Sequence, residues 1–364
     1  MKVFIIYASV GAGHHRTAKA LYDYLKENRN NIADLRLVDA LGHSNRIFRF
    51  LCTSGYSFLV SKTPILWRFF FWITNFRLLR IISRTIARIC NWTNTQRFSS
   101  LLIRENPDYI ICTHFLPTEI ASNLKRLRKI QSKTITVITD YSVHPYWISW
   151  GVDNYIVATE LTKKQLIREG VKEEKIKALG LPVSPQFFID YKKETLLSKL
   201  GLKNDKFTVL MLTGSFGLGP IERIIDCLYG QVQLLVVCAN NQKLYKRLSN
   251  KNLSDVRVYG YVDNIQELMT VSDIIITKPG GSTISEILMR ELVPVFISPI
   301  PGQESGNVRV LMNYGVGILP GNVEEIKQAV LDFKKHPEKI KIVRESIRKI
   351  KNPDVLKEIS DVIR

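Results

Sequence analysis

Residues Thr277–Asn307 read TKPGGSTISEILMRELVPVFISPIPGQESGN. The preceding apolar run, Ile274–Thr277, predicts a strand that empties into Pro279-Gly280-Gly281-Ser282-Thr283. A helical stretch with Glu286 in its first turns follows. A second strand, Val293–Ile297, then ends in the polar loop Gly302-Gln303-Glu304-Ser305-Gly306-Asn307. Glycine lets backbone N–H groups approach a ligand closely, and a helix start offers unpaired donors and a positive dipole end. Gly281, Ser282 and Thr283 therefore suit a phosphate, and Glu286 one turn on suits a ribose diol. Gln303, Glu304 and Asn307 suit sugar hydroxyls. The layout is that of a nucleotide-sugar site.

The same alternation of apolar strands and helical patterns runs through the chain. Lys2–Tyr7, Leu35–Val38, Tyr109–Cys112, Thr134–Thr139, Tyr155–Ala158 and Ile176–Leu179 form one set of expected strands. Thr208–Leu212, Gln233–Cys238, Arg257–Tyr259 and the two strands above form another. Such alternation predicts an α/β fold, with parallel sheets covered by helices on both faces. Leu181-Pro182-Val183-Ser184-Pro185 and a charged stretch separate the sets, which places a boundary near residue 185. The expectation is two Rossmann-like domains, 1–185 and 186–350, facing a central cleft. A last helix, 351–364, is expected to pack back on the first domain.

A chain of 364 residues is long enough for two cores. Its net charge of +19 predicts an anionic partner: nucleic acid, a membrane surface or a phosphorylated substrate. The five cysteines are scattered and lack metal-ligand spacing, which suggests free thiols in a reducing compartment. The first apolar run is short and leads into a glycine loop, as a first strand does and a secretory leader does not. No stretch of about 18 residues lacks charge, so a membrane-spanning helix is not expected.

The first strand ends in Ala8-Ser9-Val10-Gly11-Ala12-Gly13-His14-His15, followed by a helix. No Lys-Ser or Lys-Thr pair follows, which excludes a P-loop. A histidine at a helix start is disfavoured as imidazolium, so His14 is a candidate general base for an acceptor hydroxyl. The alternative is that His14 only caps the helix. The second half opens with Thr213-Gly214-Ser215-Phe216-Gly217-Leu218-Gly219, a loop able to pass its backbone close to a pyrophosphate. Val262, between these elements, lies where backbone could meet a base.

Several motifs together resemble the monogalactosyldiacylglycerol synthase and processive diacylglycerol glucosyltransferase group, in the family that also holds MurG-type enzymes. They are GAGHHRTAKAL at Gly11–Leu21, VITDYSVHPYW at Val137–Trp147, LGLPVSPQF at Leu179–Phe187, the Gly214–Gly219 loop, and KPGGSTISE with PGQESGN. The resemblance spans nearly the whole chain. It implies a GT-B fold, an inverting mechanism, a UDP-sugar donor and no metal or other cofactor. By motif position it implies that His14 is the base and Glu286 the ribose ligand. Gly281, Ser282 and Thr283 would hold the phosphate, and Gln303, Glu304 and Asn307 the donor sugar. Gly214 and Ser215 would lie on the donor, and Val262 on the uracil. Asp140, in the VTD-type motif, would support His14 or the acceptor. The absence of a DxD at a strand end agrees with a metal-free site.

Between Asp39 and Glu105 there is no acidic residue, but nine arginines and a crowd of aromatics. Arg77, Arg80, Arg84 and Arg88 share one helical face, with Leu78, Leu79, Ile82, Ile86 and Ile89 opposite. With Arg68 and Trp72 nearby, this suits the surface of an anionic bilayer. The competing expectation is that the helix packs its apolar side on the sheet and solvates its arginines. No nucleic-acid-binding motif is present.

These readings converge on a peripheral enzyme at the cytoplasmic face of the membrane. It would move a hexose, glucose or galactose, from UDP to diacylglycerol, giving a β-glycosyldiacylglycerol. Alternatives are transfer of N-acetylglucosamine or another sugar to a polyprenyl-linked acceptor, a UDP-sugar 2-epimerase, and a UDP-sugar-sensing membrane-bound regulator.

Overall fold

A computed structural model describes residues 1–75, 77–212, 219–251 and 253–363; the side chains at 64, 70, 72, 73, 75, 77, 78, 80 and 81 lie outside the description. The chain forms two compact units. The first comprises Met1–Pro185, Ile300–Asn307 and Asn352–Arg364, and the second Gln186–Pro299 and Val308–Lys351.

In the first unit the strands are β1 (Lys2–Tyr7), β2 (Asp34–Asp39), β3 (Tyr109–Cys112), β4 (Lys133–Val137), β5 (Asn154–Val157) and β6 (Ile176–Ala178). Among the described residues they form one six-stranded sheet in the order β2-β1-β3-β4-β5-β6, with parallel pairing throughout. The helices are α1 (Ala12–Asn28), α2 (Arg46–Phe50), α3 (Tyr56–Lys62), α4 (Pro64–Asn75), α5 (Arg77–Asn94), α6 (Gln96–Glu105), α7 (Phe115–Arg126) and α8 (Glu160–Arg168). Helices on both faces explain why Val3, Phe4, Ile5 and Ile6 are all fully buried: a strand covered twice reads as a continuous apolar run. The strand order reverses between β1 and β3, and the loops leaving their carboxyl ends carry His14, Thr113 and His114. Such a reversal leaves a crevice where ligands of open α/β sheets bind.

Helix α5 has its apolar side turned outward. Leu79, Ile82, Ile86 and Ile89 are exposed, while Arg84 donates to the Ile148 carbonyl and Arg88 lies 3.5 Å from Glu119. This is the reverse of the competing expectation, in which the apolar side packs on the sheet. Ile47, Phe50, Leu51, Phe58, Ile65, Leu66 and Phe69 are exposed on the neighbouring helices as well. Among the described residues, no helix is long and apolar enough to cross a membrane.

The second unit holds β7 (Thr208–Leu212), β8 (Gln233–Val237), β9 (Val256–Tyr259), β10 (Ile274–Thr277) and β11 (Val293–Phe296). They form a parallel sheet in the order β11-β10-β7-β8-β9. Its helices are α9 (Lys193–Lys199), α10 (Ile221–Leu228), α11 (Gln242–Ser249), α12 (Ile265–Val271), α13 (Gly281–Met289), α14 (Gln303–Asn313), α15 (Val323–Lys335) and α16 (Pro337–Arg348); the first turn of α14 belongs to the first unit. The core is aliphatic, with Val209, Met211, Ile224, Ile225, Leu234, Val236, Ile274 and Ile276 fully buried. Here the order reverses between β7 and β10, and the loop after β10 is Lys278–Gly280.

The last helix, α17 (Val355–Val362), belongs to the first unit. Val355, Leu356, Ile359 and Ile363 are buried, and Arg29 at the end of α1 donates to the Ser360 hydroxyl (2.6 Å) and carbonyl (2.5 Å).

Candidate active site

Gly11, with φ of 93°, turns the chain from β1 into α1 and sets His14 in the helix's first turn. The Thr113 carbonyl, at the end of β3, lies 2.8 Å from His14 Nδ1. A carbonyl only accepts, so the proton of the neutral ring sits on Nδ1 and the lone pair on Nε2. Thr139 Oγ1 lies 2.9 Å from the same Nδ1, and the Thr113 hydroxyl donates to the His14 carbonyl at 3.0 Å. Among the described residues Nε2 has no hydrogen-bond partner, so the ring is fixed with its basic atom free. The pKa of His14 is held below 6.5, mainly by burial; the Asp140 charge and the Thr113 hydrogen bond partly oppose this.

His114 meets the His14 ring edge-on, with centroids 4.6 Å apart. It accepts the Leu116 N–H at Nδ1 (3.1 Å), which caps α7. Burial, then the neighbouring His14, holds its pKa well below the usual range, so it stays neutral. His15 faces elsewhere, edge-on to Tyr7 at 4.8 Å.

Asp140 is buried beside this cluster. Gln303 Nε2 donates to both carboxylate oxygens, at 3.0 and 3.1 Å, and Asn307 Nδ2 lies 3.4 Å from Oδ1. The Trp147 side chain donates as well. Burial raises the Asp140 pKa, and the Gln303 donor, the nearby His14 ring and the Asn307 and Trp147 donors partly oppose this. Asn307 Oδ1 accepts the N–H groups of Tyr141 (2.8 Å) and Ser142 (3.1 Å). Loop 300–307 is thus bracketed onto the loop after β4. From its other side Trp67 Nε1 donates to the Pro301 carbonyl at 3.1 Å. Glu304 accepts the Ile300 N–H at 2.7 Å, closing the loop on itself.

In the second unit, Gly280 is the N-cap of α13 and makes no side-chain cap. Gly281, Ser282 and Thr283 form the first turn, whose N–H groups precede the first intrahelical bond, Ile284 N–H to the Gly280 carbonyl (2.9 Å). Ser282 and Thr283 are half-buried, and Glu286 is buried one turn further in. Val262 is half-buried in the loop after β9. Gly214 and Ser215 lie outside the described residues, as do the side chains of Trp72, Arg77 and Arg80. Arg68 is exposed on α4.

Residues 14–183 match the family model described as monogalactosyldiacylglycerol (MGDG) synthase, and residues 208–345 match the glycosyltransferase family 28 C-terminal domain. A processive diacylglycerol beta-glucosyltransferase of Bacillus cereus (strain ATCC 10987 / NRS 248) is 30% identical over 370 residues, covering 100% of this chain and 93% of that one. The chain belongs to this glycosyltransferase family. A second such relative, from Bacillus pumilus (strain SAFR-032), is 28% identical over 355 residues, covering 96% of this chain and 91% of its own. Among solved structures, S. aureus MnaA with UDP superposes with a TM-score of 0.64 at 13% identity, covering 100% of this chain and 95% of that one. Acinetobacter baumannii MurG superposes with a TM-score of 0.58 at 12% identity, covering 100% and 99%. At such identities the likeness shows the shared GT-B fold alone.

Within this glycosyltransferase, the first unit gathers His14, Asp140, Gln303 and Asn307, although some 160 residues of chain separate Asp140 from Gln303. The reading of the sequence missed Thr113, His114 and Thr139. Their signal was positional: Thr113-His114 directly follows the apolar strand Tyr109–Cys112, and ligand-facing groups cluster at such strand ends.

Proposed function

We propose that this glycosyltransferase moves a hexose from UDP to the hydroxyl of diacylglycerol with inversion, giving a β-glycosyldiacylglycerol at a membrane surface. Glucose is the favoured donor sugar, because the full-length relatives are named beta-glucosyltransferases. The observation that carries the mechanism is the fixed tautomer of His14. Its Nδ1–H is held by a carbonyl, so a neutral Nε2 can take the acceptor proton as the hydroxyl attacks the anomeric carbon. In the second unit, the N–H groups at the start of α13 would stabilise the departing UDP, and Glu286 would take the ribose hydroxyls. This chemistry asks for no divalent ion, and a chelator should leave the rate unchanged. The apolar outward face of α5 and its neighbours supports the membrane reading, since such a face buries favourably among lipid chains.

The test is a donor-by-acceptor panel with detergent-dispersed lipids, read by product anomer. UDP-glucose with diacylglycerol should give a β-linked product. Transfer only to a polyprenyl-linked acceptor would replace the acceptor assignment. His14→Ala should lower kcat by about 10²–10⁴-fold, the usual contribution of a general base, while leaving UDP binding nearly intact. Unchanged turnover would remove His14 from the mechanism.

A further inference from the structure

We propose that Tyr56 and Trp67 are positioning residues for sugar transfer: with Phe71 they clamp residues 301–303, so that Gln303 is set for the donor sugar before the sugar arrives. This rests on the function proposed above, with Gln303 as a sugar ligand, and adds the residues that hold it.

Three aromatic side chains from two successive helices meet three successive residues. Trp67 Nε1, on α4, donates to the Pro301 carbonyl at 3.1 Å. Phe71, one turn further along α4, lies where a Cβ on Gly302 would strike its ring. The Tyr56 hydroxyl, on α3, donates to Gln303 Oε1 at 3.5 Å. The rings also support one another. Tyr56 and Trp67 meet edge-on with centroids 5.2 Å apart, and the Trp67 and Phe71 centroids are 6.2 Å apart. Phe71 in turn packs on His144 at 4.8 Å, which ties the clamp to the loop after β4 that carries Asp140.

The polar ends of Tyr56 and Trp67 mark them as more than packing. Phe58 and Phe69 on the same helices are exposed, whereas Tyr56 and Trp67 are half-buried with their polar atoms on the segment. A hydroxyl taken out of water is costly unless it is bonded, and phenylalanine would fill the same space without that cost. Burial, then the charges of Asp140 and Glu304, raises the pKa of the Tyr56 hydroxyl, so it stays protonated and able to donate. Gln303 is thus held at both ends: Nε2 on the Asp140 carboxylate at 3.0 and 3.1 Å, and Oε1 on Tyr56. A carbonyl oxygen has two lone pairs, so Oε1 can accept a sugar hydroxyl beside that of Tyr56. An amide ordered in advance gives up little rotamer freedom when that hydroxyl binds.

The experiment measures the KM for UDP-glucose, kcat, the competitive Ki of UDP and Tm for the native chain, Tyr56→Phe and Trp67→Phe. UDP has no sugar and does not report on Gln303. Tyr56→Phe should raise the donor KM about two- to fivefold and Trp67→Phe about fivefold, the usual loss for one hydrogen bond, with the Ki of UDP unchanged. In a Gln303→Ala background Tyr56→Phe should have no further effect, because it acts through the amide. A native donor KM in both single variants overturns the clamp. A KM and a UDP Ki that rise together, or a lowered Tm with their ratio unmoved, makes the aromatics packing only and overturns it as well. An effect of Tyr56→Phe that persists in full without Gln303 overturns the amide as the route. The donor constants can be read with whichever lipid acceptor the native protein uses, so failure of diacylglycerol as acceptor overturns the proposed function separately. Native protein that uses no UDP-sugar overturns both.

Discussion

Asp140 would set the working range of the proposed base, His14, without touching it. Among the described residues no hydrogen bond joins it to His14; it acts through its charge, which favours the imidazolium and draws the His14 pKa back up against burial. Because burial is the larger effect, His14 stays neutral to below pH 6.5, and the acid limb of kcat/KM should lie below that value. Asp140→Asn removes the charge that raises the His14 pKa, so the sign is fixed: the acid limb moves to lower pH. The plateau rate falls with it, because a less basic imidazole takes the acceptor proton less readily. A pH–rate profile of the variant checks this, and a limb that does not move would leave Asp140 with the sole task of holding Gln303 and Asn307.

At the scale of elements, the segment 300–307, a turn that runs into the start of α14, is held at several points. Gly302 has φ of 88°, and a Cβ placed there would come within 2.3 Å of the Phe71 ring. Gly302→Ala therefore costs about 1–2 kcal/mol for the left-handed backbone alone, before the ring is displaced. At about 2–4 °C per kcal/mol for a unit of this size, Tm should fall by several degrees. The Gln303–Asp140 pairing should loosen, raising donor KM. Normal Tm and KM would mean that Phe71 yields freely. This segment also shows where sequence reading stops. Strands such as Lys2–Tyr7, Tyr109–Cys112 and Thr208–Leu212 were legible because buried parallel strands are apolar without interruption. The membership of 300–307 in the first unit was not, since it depends on Asn307 and Gln303 meeting residues far back in the chain. The Thr113 carbonyl was equally silent, because a backbone acceptor has no residue-type signature. For α5, periodicity gave two faces but not which one meets the body. That choice goes with the Ile148 carbonyl, which takes up Arg84, and with Glu119, which pairs with the still exposed Arg88.

At the scale of the whole molecule, the first unit is assembled from three separate stretches of chain, 1–185, 300–307 and 352–364. Contacts between residues so far apart in sequence close slowly, because loop entropy is lost before the contact forms. A small set of polar interactions ties 352–364 to the rest of the first unit. Arg29 makes most of them, through Ser360 Nε–Oγ and Nη2–O bonds and a 3.1 Å pair with Asp361. Asn352 adds a bond to the Leu179 carbonyl at 2.9 Å. Removing the guanidinium leaves the Ser360 carbonyl and hydroxyl short of a donor, at a cost of about 1–3 kcal/mol for buried groups. Arg29→Ala should then lower Tm by a few degrees and slow the last phase of refolding. Limited proteolysis should cut within 352–364 well before the core, because α17 loses its charged anchor while its apolar contacts remain. A variant whose tail resists protease as well as the native chain would show that Val355, Leu356, Ile359 and Ile363 hold the helix by themselves.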